Sequence, residues 1–207
     1  LGDVYKRQAM DLIFERMPAT LELVAVAACL VLCIAIPLGV YAGAYPKRAS
    51  SKLIMSGSIL GISLPSFWVG MMMIYIFAVV LRLLPASGRG NTVMVGNVAL
   101  SIFAPGGIRY VILPAITLAL TNVATMLRLT RSGILENMRQ DYIKFARAKG
   151  VPAKSILFGH ALKNALIPVV TIFGMDLGNM IAFTTITETI FAWPGICLLY
   201  TSPSPRD

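Results

Sequence analysis

The residues best placed to do chemistry are the charged ones, because so few are present. Asp, Glu, Lys and Arg make up 13% of the 207 residues, where a soluble domain carries about 25%. Seven of them fall between Arg139 and Lys163. At the centre of a bilayer each would cost roughly 2.5–3.5 kcal/mol, about 20 kcal/mol together, so this segment is expected to lie in water. Asp176 looks like the most deeply placed charge, and Asn179, three residues on, shares its helix face. Thr117, Thr121 and Thr125 recur every four residues and make one polar stripe. Two readings of these residues stay open. They line a solute path, or they hold helices: Asp176 through a hydrogen bond to another helix, neutralised by desolvation, and the threonines by bonding back to their own backbone. For Asp176 packing is the preferred reading, because one acid makes no proton relay. Glu188, just before an aromatic turn, and Glu22, near the start of its apolar run, are expected to reach the membrane interface. His160 is expected on a docking surface, not as a ligand.

Other chemistries lack their parts. One histidine, three cysteines and scattered carboxylates give no metal-ligand spacing. Cys29 and Cys33 lie one helical turn apart in an apolar run and are expected to pack as small apolar side chains. No Ser/His or His/Asp/Glu grouping sits at membrane depth. No GxxxxGK[ST] loop is present, so the chain is not expected to bind ATP itself. No catalytic residue, cofactor or metal is expected.

The elements that position these residues are transmembrane helices. Hydrophobic residues make up 57% of the chain, mean hydropathy is +0.78, and several runs are long enough to cross a bilayer. The expected fold is all-α, a polytopic transmembrane helical bundle. The first span covers about 19–44, with Pro18 at its first turn, Pro37 as a kink and Gly39/Gly43 as a GxxxG step. The second covers about 53–84, too long for one straight crossing, with Pro65 bending or dividing it and a second GxxxG step at Gly57/Gly61. Residues 85–107 read as a loop with one short interfacial helix. The third span, about 108–129, contains Pro114 and continues out of the membrane through Glu136. The fourth, about 165–190, carries Pro168 and a third GxxxG step at Gly174/Gly178.

The net charge of +9 follows the loops. Residues 45–52 hold three Lys/Arg and 128–163 hold eight, whereas 85–107 hold only Arg89. The positive-inside rule puts the first two in the cytoplasm and the third outside. That accounts for the charge, so the expected partner is a lipid bilayer, not nucleic acid.

The basic segment between the third and fourth spans reads as an elbow. Residues 141–149 should form a short helix with Tyr142, Phe145, Ala146 and Lys149 on one face and Lys144, Arg147 and Ala148 away from it. Gly150 suits the helix C-cap and Pro152 the first turn of the next helix. Periodicity leaves two roles equally open: a handle pushed by a soluble partner, or a solvated loop that only fixes topology.

The segment resembles the EAA loop of ABC importer permeases, whose form is EAA, three residues, Gly, nine residues, then I-x-L-P. Gly150 takes the glycine place and Ala146 the second alanine. Lys144 and Phe145 stand at the Glu and first Ala, and residues 160–163, HALK, replace I-x-L-P. These departures match the dipeptide, oligopeptide and nickel branch. So do RMPATLEL at 16–23, SLPSFW at 63–68, LPASGRG at 84–90, LPAITLAL at 113–120 and ETIFAWPGI at 188–196. The resemblance implies the type I ABC importer permease fold in the cell (inner) membrane. It also implies a second permease subunit, two cytoplasmic ATP-binding subunits and an extracytoplasmic solute-binding protein as partners. Asp141, Tyr142, Phe145, Ala146, Arg147, Ala148, Lys149, Gly150, His160 and Leu162 would dock the ATPase, and di- or oligopeptides, nickel chelates or glutathione would be the solute.

Residues 1–8 and 198–207 resemble translated sequencing adaptors and are set aside as non-native. Residues 9–197 are then expected to be a partial permease domain truncated at both ends, with a further span before residue 9 and another after residue 195. Two other classes compete. A secondary carrier or channel without an ATPase should show inverted repeats with broken helices, and no convincing repeat is present. A membrane-embedded enzyme should show the catalytic groupings already found missing.

Overall fold

The first apolar run forms helix α1, Gly2–Ala44. In the computed structural model, residues 2–96 and 98–196 are described, with side chains from residue 13 onward. The expected span at 19–44 is therefore part of a longer helix, whose stretch Ile13–Ala44 is apolar enough to cross a membrane. Pro18 lies inside α1 instead of opening it.

Helix α2, Ala49–Ser63, and helix α3, Ser66–Met73, split the second predicted span at Pro65. Leu64 and Pro65 are extended, with ψ of 130° and 136°. The residue before a proline is pushed out of the helical region, so SLPSFW ends one helix and starts another. Helix α3 runs on as a π-helical turn, Ile74–Val80.

The next loop differs from expectation. It holds a two-stranded antiparallel hairpin, β1 (Val93–Val95) and β2 (Val98–Leu100), in the register Val93↔Leu100. Val-Met-Val and Val-Ala-Leu around Gly-Asn form a two-residue hairpin signal, which outweighs the loop composition.

Helix α4, Ile108–Asn137, contains Pro114 and extends past the predicted span as expected. Helix α5 is Asp141–Ala148. A short helix α6, Ala153–Ser155, passes through a π-helical turn, Ile156–Ala161, into helix α7, Leu162–Ile190. Pro152 is the N-cap of α6, one position before the first turn. Among the described residues, α1, α4 and the run Ala153–Ile190 are long and apolar enough to cross a membrane, and the broken pair α2–α3 counts as a fourth crossing if taken together.

The chain divides into two compact units. One comprises the residues up to Ala28, Pro65–Leu118 and those from Asn179 onward; the other comprises Cys29–Leu64 and Ala119–Gly178. In the first, Gly70 lets α3 approach Thr117 of α4 and Ile190 of α7, and Leu23, Val111, Leu113 and Trp193 are buried.

In the second unit, α1 and α4 meet at the Gly39/Gly43 step. A Cβ at Gly39 would lie 2.6 Å from the Thr130 Cβ, and one at Gly43 would lie 2.7 Å from the Ile134 Cβ. The other two GxxxG steps are used differently. Gly61 meets Ala124 at ordinary contact distance, while Gly57, Gly174 and Gly178 face open space. Cys29 and Cys33 lie on the exposed face of α1, so the expected packing role within the chain is not what they have.

Gly39→Val should destabilise the protein by about 1–3 kcal/mol through overpacking. Gly57→Ala, with no neighbour to meet, should stabilise it by about 0.4–1 kcal/mol. Unfolding midpoints of the two purified variants in a denaturing-detergent titration should move in opposite directions.

Candidate functional site

The elbow is built around one side chain that the face assignment passed over. Ile143 is fully buried and packs with Val40, Ile134, Ile156, Ala161 and Ala165. Ala146 and Leu162, read as docking residues, lie against this same core. Tyr142 and Phe145 point outward, 39% and 63% exposed, and Arg147, Ala148, Lys149 and His160 are exposed as well. The outward face of α5 is therefore aromatic and basic, and the Lys149 ammonium sits 4.5 Å from the centre of the Phe145 ring.

Polar contacts hold the base of the elbow. The Tyr142 hydroxyl donates to Asn137 Oδ1 at 2.7 Å and accepts from Asn164 Nδ2 at 3.0 Å. One phenol thus ties the end of α4 to α5 and to the start of α7. Asp141 opens α5, where an acid favours the helix N-terminus. Lys144 donates to it at 2.8 Å and holds its carboxyl below the ordinary range.

The turn after α5 is a Schellman motif. Gly150 N–H donates to the Arg147 carbonyl and Val151 N–H to the Ala146 carbonyl, at 3.0 and 3.2 Å. Gly150 has φ of 77°, and a Cβ there would touch nothing. The need for glycine is therefore conformational and not a matter of space.

The candidate path residues differ in burial and in bonding. Thr117 is buried and its hydroxyl donates to the Leu113 carbonyl at 2.9 Å. Thr125 donates to the Thr121 carbonyl at 3.2 Å, and Thr121 is exposed. Asp176 is half-buried and Asn179 exposed. Asp176 is not the most buried charge, because Glu22 and Glu188 are more enclosed.

Glu22 is 5% exposed and Glu188 fully buried, so both carboxylates are enclosed by protein and not open to solvent. Glu22 Oε2 accepts from Arg89 Nε at 3.1 Å and Nη2 at 2.5 Å. Its Oε1 accepts from Ser101 N–H, Ser101 Oγ and Ile102 N–H at 2.6–2.9 Å. Arg89 also donates to the Ala99 carbonyl and lies over the Trp193 ring. Glu188 accepts from the Thr20 hydroxyl at 2.6 Å, and Gly195 packs directly against its carboxylate. Trp193 Nε1 donates to the Ala19 carbonyl at 2.9 Å. The predicted motifs RMPATLEL, LPASGRG and ETIFAWPGI thus converge on one pair of carboxylates. The signal was present as acids inside apolar motifs, but no spacing rule names partners 67 and 168 residues away.

Among the described residues no cluster of His, Cys, Asp and Glu could hold a metal. The arrangement fixes a loop and leaves an aromatic and basic face of α5 turned outward.

Residues 35–205 match the model of the binding-protein-dependent transport system inner membrane component family. The chain belongs to this family. Its relatives include the oligopeptide transport system permease protein AppB of Bacillus subtilis, 40% identical over 190 residues, which is 92% of this chain and 58% of AppB. The probable D,D-dipeptide transport system permease protein DdpB of Escherichia coli is 39% identical, covering 86% of this chain and 56% of DdpB. The di/tripeptide transport system permease protein DppB of Pseudomonas aeruginosa is also 39% identical, over 86% of this chain and 57% of DppB. This inner-membrane component thus spans less than two thirds of each relative. The match runs past residue 197 into the stretch set aside as non-native, which lies outside the described residues.

Glu22→Ala would leave Arg89 and two backbone donors without their acceptor. Losing one partner of a buried pair costs about 3–5 kcal/mol, so the unfolding midpoint should fall accordingly. A fall no larger than that of an exposed control such as Lys154→Ala would show the clamp to be energetically idle.

Proposed function

We propose that the chain is part of a permease subunit of an ATP-driven, binding-protein-dependent importer for di- or oligopeptides. Family membership and the peptide-permease names of AppB, DdpB and DppB support the solute class. In this reading residues 9–197 belong to the permease domain. The elbow and the 45–52 loop face the cytoplasm, the hairpin loop faces outward, and the permease itself is not an enzyme.

One observation carries the coupling role. Helix α5 exposes Tyr142, Phe145, Arg147 and Lys149 while Ile143 locks its other side into the core. A topology-fixing loop needs charge but no buried anchor. A handle needs both an outward gripping face and a stiff base. Two cytoplasmic ATP-binding subunits would grip this face. Their closure on ATP would move the elbow, and with it α4 and α7, which the Tyr142 hydroxyl bridges; hydrolysis would reset them. His160 and the exposed Phe158 extend the same docking surface, whereas Ala146 and Leu162 act through packing. A second permease subunit would complete the path. The apolar face of α7, with Val170, Met175 and Phe183 exposed and Gly174 and Gly178 open, suits that neighbour. An extracytoplasmic solute-binding protein would deliver the peptide on the hairpin side. Asp176, Asn179 and the exposed Thr121 are the path-lining candidates that remain; Thr117 and Thr125 bond to their own helix.

The test uses the intact permease expressed with its ATPase and binding-protein genes. Phe145→Asp removes an exposed aromatic and should leave the protein folded while abolishing ATPase co-purification and peptide uptake. Gly150→Pro, which cannot adopt a positive φ, should keep the membrane spans but uncouple ATP hydrolysis from uptake. Full co-purification and full uptake in both variants would end the coupling reading.

A further inference from the structure

Residues 81–112 contain three arginines, Arg82, Arg89 and Arg109, and no lysine or acid. Arg89 is satisfied by Glu22. Among the described residues neither the Arg82 nor the Arg109 guanidinium has a hydrogen-bonding or ion-pair partner. Both line one cavity of about 500 Å³, together with Leu84, Pro105, Gly90 and Tyr110. Both are exposed, so an anion entering the cavity would meet two guanidiniums that no protein acid neutralises.

The backbone adds a second, independent observation. Arg82 has φ of 52°, a left-handed conformation that glycine adopts without strain and arginine does not. The turn is held by the Phe77 carbonyl, which accepts from Leu83 N–H at 2.9 Å and Leu84 N–H at 3.3 Å. A strained residue whose side chain lines a cavity points to use of that side chain.

Position and shape then narrow the anion. Arg82 follows the π-helical end of α3 and Arg109 is the second residue of α4. Both sit at the ends of apolar helices, the position from which arginines of a membrane protein snorkel toward lipid headgroups. Guanidinium forks match phosphate oxygens. The cavity is much larger than a bare phosphate, and its lining is mostly polar, which suits a phosphate-bearing headgroup more than an acyl chain. We propose that this cavity binds the phosphate of an anionic membrane lipid. The assignment goes beyond the transport reading and needs neither an ATPase nor a solute.

The test is lipid binding by the full-length permease, purified in detergent and followed by native mass spectrometry. Phosphatidylglycerol should be retained roughly tenfold or more tightly than phosphatidylcholine. The double variant R82Q/R109Q should lose that preference, and Arg109→Gln alone, an exposed and unpartnered change, should lose part of it. Lys154→Gln on the elbow should leave it intact. Inorganic phosphate should displace the lipid weakly. Three results would overturn the proposal: no preference in the wild type, unchanged preference in both arginine variants, or inorganic phosphate binding as tightly as the lipid. A raised KM for peptide uptake in Arg109→Gln with lipid retention unchanged would make the cavity a solute site and overturn it equally. Failure of ATPase coupling would leave the lipid readout untouched.

Discussion

Hydrocarbon offers no partner to a charge, and two groups of charges in this chain answer that constraint in different ways. Two solutions are in use. The seven charges between Arg139 and Lys163 are excluded from the apolar runs and gathered on the elbow. Glu22 and Glu188, which cannot be excluded because they lie within helices, are compensated. Glu22 collects a guanidinium, a hydroxyl and two backbone amides. Such compensation is stoichiometric and directional, so it also positions the donors. The loop after the π-helical turn is held to α1 because the Glu22 carboxylate needs what the loop carries.

The elbow solves the complementary problem of being both exposed and stiff. An eight-residue helix is too short to hold itself in water, so α5 depends on tertiary packing. Burying Ile143 supplies roughly 1.5–3 kcal/mol. The Tyr142 hydroxyl adds bonds to two further helices, and the Schellman turn at Gly150 satisfies the last carbonyls. The outward side chains, Phe145 above all, contribute little to that stability. The fold does not use Phe145 in its own core.

Much of this was legible from residue order. Apolar length placed α4, Pro65 placed the break between α2 and α3, and Gly150 with Pro152 placed the elbow turn. What escaped reading had physical reasons. On α5, Tyr142, Ile143, Phe145 and Ala146 are all apolar enough to be the buried face, so periodicity alone could not choose Ile143. Asn164 and Asn137 gain their role only when Tyr142 reaches both. The enclosure of Glu22 and Glu188 escaped reading because their partners lie far along the chain, and an acid's burial is set by those partners, not by its neighbours. Pro18 looked like a helix start by local rule, yet α1 runs through it. The hairpin forms because Gly-Asn between two β-prone triplets is a stronger local signal than the polar, glycine-rich composition of the loop around it.

The three GxxxG steps show the limit of local signals most clearly. Each exposes a bare strip of backbone, and each has the same spacing. At Gly39 and Gly43 the strip is filled by Thr130 and Ile134, whose β-branched side chains occupy the space a Cβ would need. At Gly61 the neighbour is Ala124, too short to press in. At Gly174 and Gly178 no described residue comes within 4 Å of where a Cβ would stand, although Val170, Met175 and Phe183 around them are exposed and apolar. Small-residue spacing is therefore permission for close approach and not evidence that it occurs. The seam near Gly39 uses that permission within the chain; α7 leaves it unused, with an apolar face that suits hydrocarbon or another helix and does not suit water.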